Sequence, residues 1–200
     1  MLSYEESLKI LKDTRAILEG HFILSSGLHS EKYVQCAKLL SYPDKAEIIC
    51  SSLVKKINKS FKKIDYVLSP AIGGIVVGYE IARQLKVKAL FAERVGKDMI
   101  LRRGFSITKN SNVLIVEDVI TTGKSAAECL KIIENSNAKL VGYACIIDRS
   151  NHKELLIRDK IVSQIKFQIK TYTETDLPDS LKKIEPTKPG SRNLSKWRKN

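Results

Sequence analysis

The segment from Val113 to Ser125 constrains this chain more than any other. It reads Val-Leu-Ile-Val-Glu-Asp-Val-Ile-Thr-Thr-Gly-Lys-Ser. An apolar run of strand type ends in two acids. A turn of small hydroxyl residues around Gly123 then leads into a helical pattern. In open α/β sheets, ligands bind at the carboxyl ends of the strands, which is where this order puts Glu117 and Asp118. The turn suits a phosphate. Its backbone N–H groups and the hydroxyls of Thr121, Thr122 and Ser125 can surround an anion at a helix N-terminus, where the dipole favours negative charge. Gly123 permits close approach. The two acids cannot share that phosphate, because like charges repel. They suit sugar hydroxyls, which donate to carboxylates, with Mg²⁺ nearby. The plainer reading, a strand–turn–helix with two solvated acids, leaves that placement unused. Gly123-Lys124-Ser125 also invites a P-loop reading, but the pattern GxxxxGK[ST] needs Gly where this chain has Asp118.

Around this motif the chain alternates strand and helix. Ile64 to Leu68 is a short apolar run ending at Ser69-Pro70, followed by Ala71-Ile72-Gly73-Gly74 and a helical stretch to about Leu85. Val87 to Ala92 and Val113 to Val116 read as strands. A helix runs from about Ser125 to Asn135, and Leu140 to Ile147 is a further strand. The rhythm predicts a mostly parallel sheet covered by helices. Ser3 to Glu19 reads as an amphipathic helix. From Glu174 on, Pro178, Pro186, Pro189 and Gly190 lead to a basic tail, and this end reads as irregular and partly mobile.

The chain has 200 residues, 43% of them apolar, which suits one domain with a real core. No apolar run approaches a membrane span. The N-terminus, Met1 to Glu19, lacks a signal-peptide core, so a cytoplasmic protein is expected. Cys36, Cys50, Cys129 and Cys145 are widely spaced, which predicts four buried thiols rather than a metal site or a disulfide framework. The net charge of +13 attracts anions without saying which, and scattered pairs such as Lys55-Lys56 and Lys62-Lys63 form no binding stripe.

The stretch Val113–Ser125 resembles the signature that binds phosphoribosyl pyrophosphate (PRPP) in type I phosphoribosyltransferases. The resemblance covers most of the chain and points to the orotate phosphoribosyltransferases of bacteria. Gly20 to Gly27, with His29-Ser30 and Tyr33, looks like their N-terminal segment. Glu93-Arg94 through Leu101-Arg102-Arg103-Gly104-Phe105 looks like their mobile loop. Asp148-Arg149 follows the last of these strands as theirs does, and Lys188-Pro189-Gly190-Ser191-Arg192 resembles one bacterial ending. Many relatives have Lys where this chain has Ser25 and Gly73, and their loop carries more Lys and a His.

The resemblance implies an α/β fold with a central, mostly parallel sheet of about five strands flanked by helices. A small hood would come from residues 1–40 and part of the C-terminal region, over a core of about 41–170, all within one domain. It implies transfer of phosphoribose from PRPP to orotate, giving orotidine 5′-monophosphate and pyrophosphate in pyrimidine biosynthesis. Asp118, Glu117, Lys97, Arg102 and Arg103 would carry catalysis. PRPP would meet the stretch Glu117, Asp118, Val119, Ile120, Thr121, Thr122, Gly123, Lys124 and Ser125, together with Arg94, Ala71, Ile72 and Gly73. Orotate would meet Thr121, Arg149, Tyr33 and Val34. Mg²⁺ would arrive with PRPP, with Asp118 near it. The partners would be PRPP, orotate and a second copy sharing the sites, with no nucleic acid and no membrane.

Several features carry two readings. Arg94 to Phe105 is a flap over PRPP by resemblance and a solvated basic hairpin by composition. Gly78 is better explained by close helix packing than by a ligand. His21, His29 and His152 have no partner spacing. Arg149 faces either the orotate carboxylate or a surface partner, Asp148 or Glu154. The alternatives to orotate are another nucleobase, such as a purine, or a PRPP-sensing RNA-binding regulator on the same fold.

Overall fold

In the computed structural model, the described residues are 1–24, 26–151, 156–157 and 160–189. Ser25, His152, Glu154 and Gly190-Ser191-Arg192, singled out above, lie outside them. The elements run α1 (Tyr4–Asp13), β1 (Ile17–Ile23), β2 (His29–Val34), α2 (Cys36–Leu40), α3 (Pro43–Ser60), β3 (Tyr66–Pro70), α4 (Gly73–Leu85), β4 (Lys88–Val95) and β5 (Asp98–Leu101). They continue with β6 (Asn112–Ile120), α5 (Lys124–Asn135), β7 (Lys139–Asp148), β8 (Ile161–Lys166), β9 (Thr171–Tyr172) and α6 (Asp179–Lys182).

The large sheet has the order β5-β4-β3-β6-β7-β8. Five of its strands are parallel, and β5 turns back antiparallel on β4, which makes six where about five were expected. A strand buried on both faces loses the polar alternation of an exposed one. β6 shows this: Val113, Leu114, Ile115 and Val116 are all fully buried. Leu114 and Val116 meet Val77 and Ile81 of α4 on one face. Val113 and Ile115 meet Ala126, Cys129 and Ile133 of α5 on the other.

The chain leaves β3 toward β4 in one direction and leaves β6 toward β7 in the opposite one. The two connections therefore part between β3 and β6, and a crevice opens at their carboxyl ends.

The N-terminal helix is shorter than its amphipathic pattern predicted. Arg15 enters the left-handed region at φ 55. The N–H groups of Arg15 and Ala16 then donate to the carbonyls of Lys12 and Leu11, closing a Schellman motif. Ile17 onward becomes β1, which joins β2 and β9 in a small antiparallel hood. The segment after Glu174 is less irregular than expected. It contains α6, and Thr187 runs beside β1: Thr187 donates to the His21 carbonyl and accepts from Ile23, both at 2.8 Å.

All four cysteines are free and buried. No helix among the described residues is long and apolar enough to cross a membrane.

Gly78 holds α4 against β3. A Cβ there would stand 1.9 Å from the Ser69 hydroxyl oxygen and 2.9 Å from Ser69 Cβ. Gly78→Ala is expected to destabilise the fold by about 1–3 kcal/mol, the scale of an overpacked core. Urea denaturation measures this, and Ser69→Gly in the same chain should return part of the loss.

Candidate functional site

Two strand–turn–helix units build the crevice. After β3, Ser69 to Gly73 turns into α4 through a cis peptide between Ala71 and Ile72. After β6, Thr121 to Gly123 turns into α5, and Gly123 takes the left-handed conformation at φ 72. A Cβ on Gly73 would lie 2.9 Å from both carboxylate oxygens of Asp118. Only glycine lets the first turn of α4 come this near, so the turn expected to face pyrophosphate and the acid expected to hold ribose meet directly. Thr121, Thr122 and Lys124 are exposed at the mouth, and the N-cap of α5, Gly123, has no side chain to cap it. The first N–H groups of the helix therefore have no intrahelical partner.

The two acids differ. Glu117 is buried, and its pKa is pushed up to about 8 by burial and by the neighbouring Asp118, against one backbone N–H from Ala126. Its Oε1 is buried without a hydrogen-bond partner among the described residues. Asp118 is also raised by burial, opposed by backbone N–H groups. Neither carboxylate has a counter-charge among the described residues, which is the condition of a site shaped for donors or a cation.

Arg149 stands at the carboxyl end of β7, its backbone N–H on the Ile120 carbonyl at 2.8 Å. Burial lowers its pKa, and its buried Nε has no hydrogen-bond partner among the described residues. Asp148 does not serve it. That carboxylate accepts from Ser150 N at 2.8 Å and pairs with Lys166 at 3.2 Å. Tyr33 and Cys36 lie close enough for their charges to act on Arg149. The Cys36 thiol also contacts the Asp118 carbonyl at 3.9 Å, which brings the end of β2, with Tyr33 and Val34, against the turn after β6.

The flap is a hairpin. β4 pairs with β3 only as far as Ala92, so Glu93 to Leu101 overhang the carboxyl edge. Met99 is buried in the cluster that contains Ala126 and Cys129 of α5. Arg94 hydrogen-bonds to Glu128, and Arg103 to Glu93. The side chains of Lys97 and Arg102 are exposed and make no hydrogen bond or ion pair among the described residues; the Arg102 charge still acts on Glu93.

Sequence reasoning gave no role at the site to Glu93, Glu128 or Cys36, because an acid in a basic stretch or a lone thiol carries no pattern. It also left His21 and His29 unpartnered. Antiparallel pairing of β1 with β2 sets His21 Nε2 2.6 Å from His29 Nδ1, and His21 Nδ1 donates to the Ile184 carbonyl at 2.8 Å. Strand register, not helical spacing, is what would have found this pair.

Glu117 gives a pH signature. Its pKa is about 8 folded against an ordinary 4.5, so its contribution to stability is fully present below 4.5 and is lost as pH rises through 8. Glu117→Gln should abolish that loss. Between pH 5 and pH 9 the Tm of the unaltered protein should fall, relative to the variant, by at least roughly 3 °C. Thermal melts at a series of pH values check it.

The family model "Phosphoribosyl transferase domain" matches residues 41–176. The orotate phosphoribosyltransferase of Caldanaerobacter subterraneus is 45% identical over 190 residues, spanning 95% of this chain and 98% of that protein. Its counterpart in Methylorubrum populi is 47% identical over 193 residues, spanning 96% and 98%. Among solved structures, orotate phosphoribosyltransferase from Aeropyrum pernix superposes with a TM-score of 0.68 at 22% identity, covering 80% of this chain and 92% of that one. Adenine phosphoribosyltransferase from Thermoanaerobacter pseudethanolicus reaches 0.59 at 18% identity, covering 68% and 88%. At such identities the structures share the fold alone, whereas the sequence relatives separate the orotate branch from the adenine one. With this crevice, this sheet order and these relatives, the chain belongs to the orotate phosphoribosyltransferase family.

Proposed function

We propose that this protein transfers the phosphoribosyl group of PRPP to a ring nitrogen of orotate, forming orotidine 5′-monophosphate and releasing pyrophosphate. One observation supports orotate above other bases: the buried Arg149 Nε, without a hydrogen-bond partner among the described residues, beside Tyr33 and at the same edge as Glu117 and Asp118. A planar guanidinium binds a carboxylate with two parallel hydrogen bonds, and orotate differs from uracil by one carboxylate.

In this reading the turn from Thr121 to Ser125 holds the 5′-phosphate at the start of α5. Asp118 and Glu117 take the ribose hydroxyls, and the charge of Asp118 favours the oxocarbenium character that grows as the bond to pyrophosphate breaks. Backbone N–H groups of Ile72 and Gly73, with Lys97 and Arg102, face the departing pyrophosphate, whereas the Ala71 N–H is taken by the Ala92 carbonyl at 2.7 Å. Tyr33 and Val34 bound the base pocket, and Thr121 adds a second contact to orotate. Catalysis is then positioning and electrostatics, without a covalent intermediate.

Two adjacent carboxylates without a counter-charge fit a cation. No cluster of three His, Cys, Asp or Glu among the described residues could cage one, so Mg²⁺ would take most of its ligands from PRPP and water, with Asp118 nearby. When bound, it would neutralise pyrophosphate. A cytoplasmic location and a single functional unit, hood included, go with this reading.

A homodimer goes with it too. Ile72, Val76 and Tyr79 are 85%, 51% and 64% exposed on one face of α4, an apolar stripe next to the crevice that a second copy would cover.

A PRPP-dependent turnover screen over orotate, uracil, adenine, guanine and hypoxanthine tests the reaction, with product expected from orotate alone. Arg149→Ala should raise the KM for orotate far more than that for PRPP, on the scale of about 2–5 kcal/mol for a carboxylate left unpaired. Arg149→Lys should recover only part. Steady-state kinetics with each substrate varied in turn checks both. For the shared site, a Lys97→Ala/Arg102→Ala subunit and an Asp118→Asn subunit are each expected to be at least about tenfold impaired. Their mixture, after subunit exchange, should regain activity.

A further inference from the structure

The flap's four cations are not equivalent. Arg103 grips Glu93 with its fork, Nε to Oε2 and Nη2 to Oε1, both at 2.9 Å. The same guanidinium lies 5.7 Å over the Phe91 ring, and Phe105 meets Phe91 edge-on at 5.2 Å. Arg103 and Gly104 are both left-handed, at φ 59 and 72, which makes the tight turn that returns Phe105 to the body. Arg94 bonds Glu128 of α5 and donates to the Lys97 carbonyl at 2.9 Å, so it ties the turn between β4 and β5 to the helix that opens at the phosphate turn.

Glu93 is the informative partner. Its side chain is only 20% exposed, and the Arg103 fork holds its carboxyl below the usual carboxylate range. If Arg103 swung out to meet pyrophosphate, it would leave that carboxylate bare at the edge a polyanion must enter. An acid at this position is tolerable only while it stays neutralised. Lys97 makes no ion pair among the described residues, and Arg102 acts on Glu93 through its charge alone, without a hydrogen bond to hold it there.

We propose that Arg103 and Arg94 are positioning residues, locked to Glu93 and Glu128, which hold the hairpin docked over α5 so that Lys97 and Arg102 reach the leaving group. This rests on the phosphoribosyl-transfer reading above, and the two fail separately. If the unaltered protein forms no product from PRPP and orotate, that reading fails. If it turns over, the variants below decide this one.

The measurement is kcat, KM for PRPP and the inhibition constant of pyrophosphate, for Glu93→Gln, Arg103→Ala, Arg103→Lys, the double variant Glu93→Gln/Arg103→Ala, Lys97→Ala and Arg102→Ala. Thermal melts identify any variant that fails to fold. Lys97→Ala and Arg102→Ala should each weaken pyrophosphate by about tenfold, the scale of one charged contact. Glu93→Gln and Arg103→Ala should resemble one another in all three constants. The double variant should be no worse than either single change, as expected for two halves of one contact. Arg103→Lys should not rescue, since it keeps the charge and loses the fork. If Arg103→Ala does not fold, the comparison passes to Arg103→Lys: constants matching Glu93→Gln support the lock, and constants of the unaltered protein overturn it. The proposal is also overturned if folded Arg103→Ala weakens pyrophosphate at least about tenfold more than Glu93→Gln does, because Arg103 then touches the leaving group itself.

Discussion

The crevice depends on one close approach, the first turn of α4 against the Asp118 carboxylate. The backbone at Gly73 comes so near that a methyl group would already stand 2.9 Å from both oxygens. That approach is made possible by the sheet order, in which β3 and β6 are neighbours whose following helices lie on opposite faces. It joins the turn after β3 to the turn after β6. In the proposed reading the positive charge toward the leaving group comes from the overhanging hairpin, from Lys97 and Arg102.

Burial then gives each acid its character. Glu117, deeper in β6, has its pKa pushed up to about 8 because burial and Asp118 oppose its ionisation. In the proposed reading a ribose diol meets both acids. The relatives at 45% and 47% identity carry the orotate name, and the same fold also serves an adenine enzyme, so the choice of base lies outside the shared turns. In the proposed reading, Arg149 and the end of β2 make that choice.

Much of this was legible in the residues. The run Val113 to Ser125 announced strand, acids, turn and helix in order; the structure keeps that order but carries the strand through both acids to Ile120 before the turn. Gly78 was read as packing and does pack. The failures have physical causes. The first helix was extended to Glu19 because apolar spacing continues past Arg15, where a left-handed residue ends it. β5 was missed because Asp98 to Leu101 is short and takes its shape from pairing with β4. The His21–His29 contact depends on register between two strands, which local periodicity does not encode. The ion pairs of the hairpin depend on Glu93 and Glu128, which lie 35 residues apart and meet the flap only through the fold.

The unpartnered atoms at the two ends of the crevice have a thermodynamic consequence. Glu117 Oε1 and Arg149 Nε are buried polar atoms without a hydrogen-bond partner among the described residues, and such atoms cost free energy whenever they stay unpaired. The polypeptide is in this sense an incomplete core, with the missing polar surface to be supplied by a small molecule. In the proposed reading, a ligand that brings hydroxyls to one end and a carboxylate to the other would bind the native state and have no equivalent place in the unfolded chain. Occupancy therefore adds to the protein's resistance to unfolding by mass action. Substrate concentration would then set the lifetime of the enzyme as well as its rate.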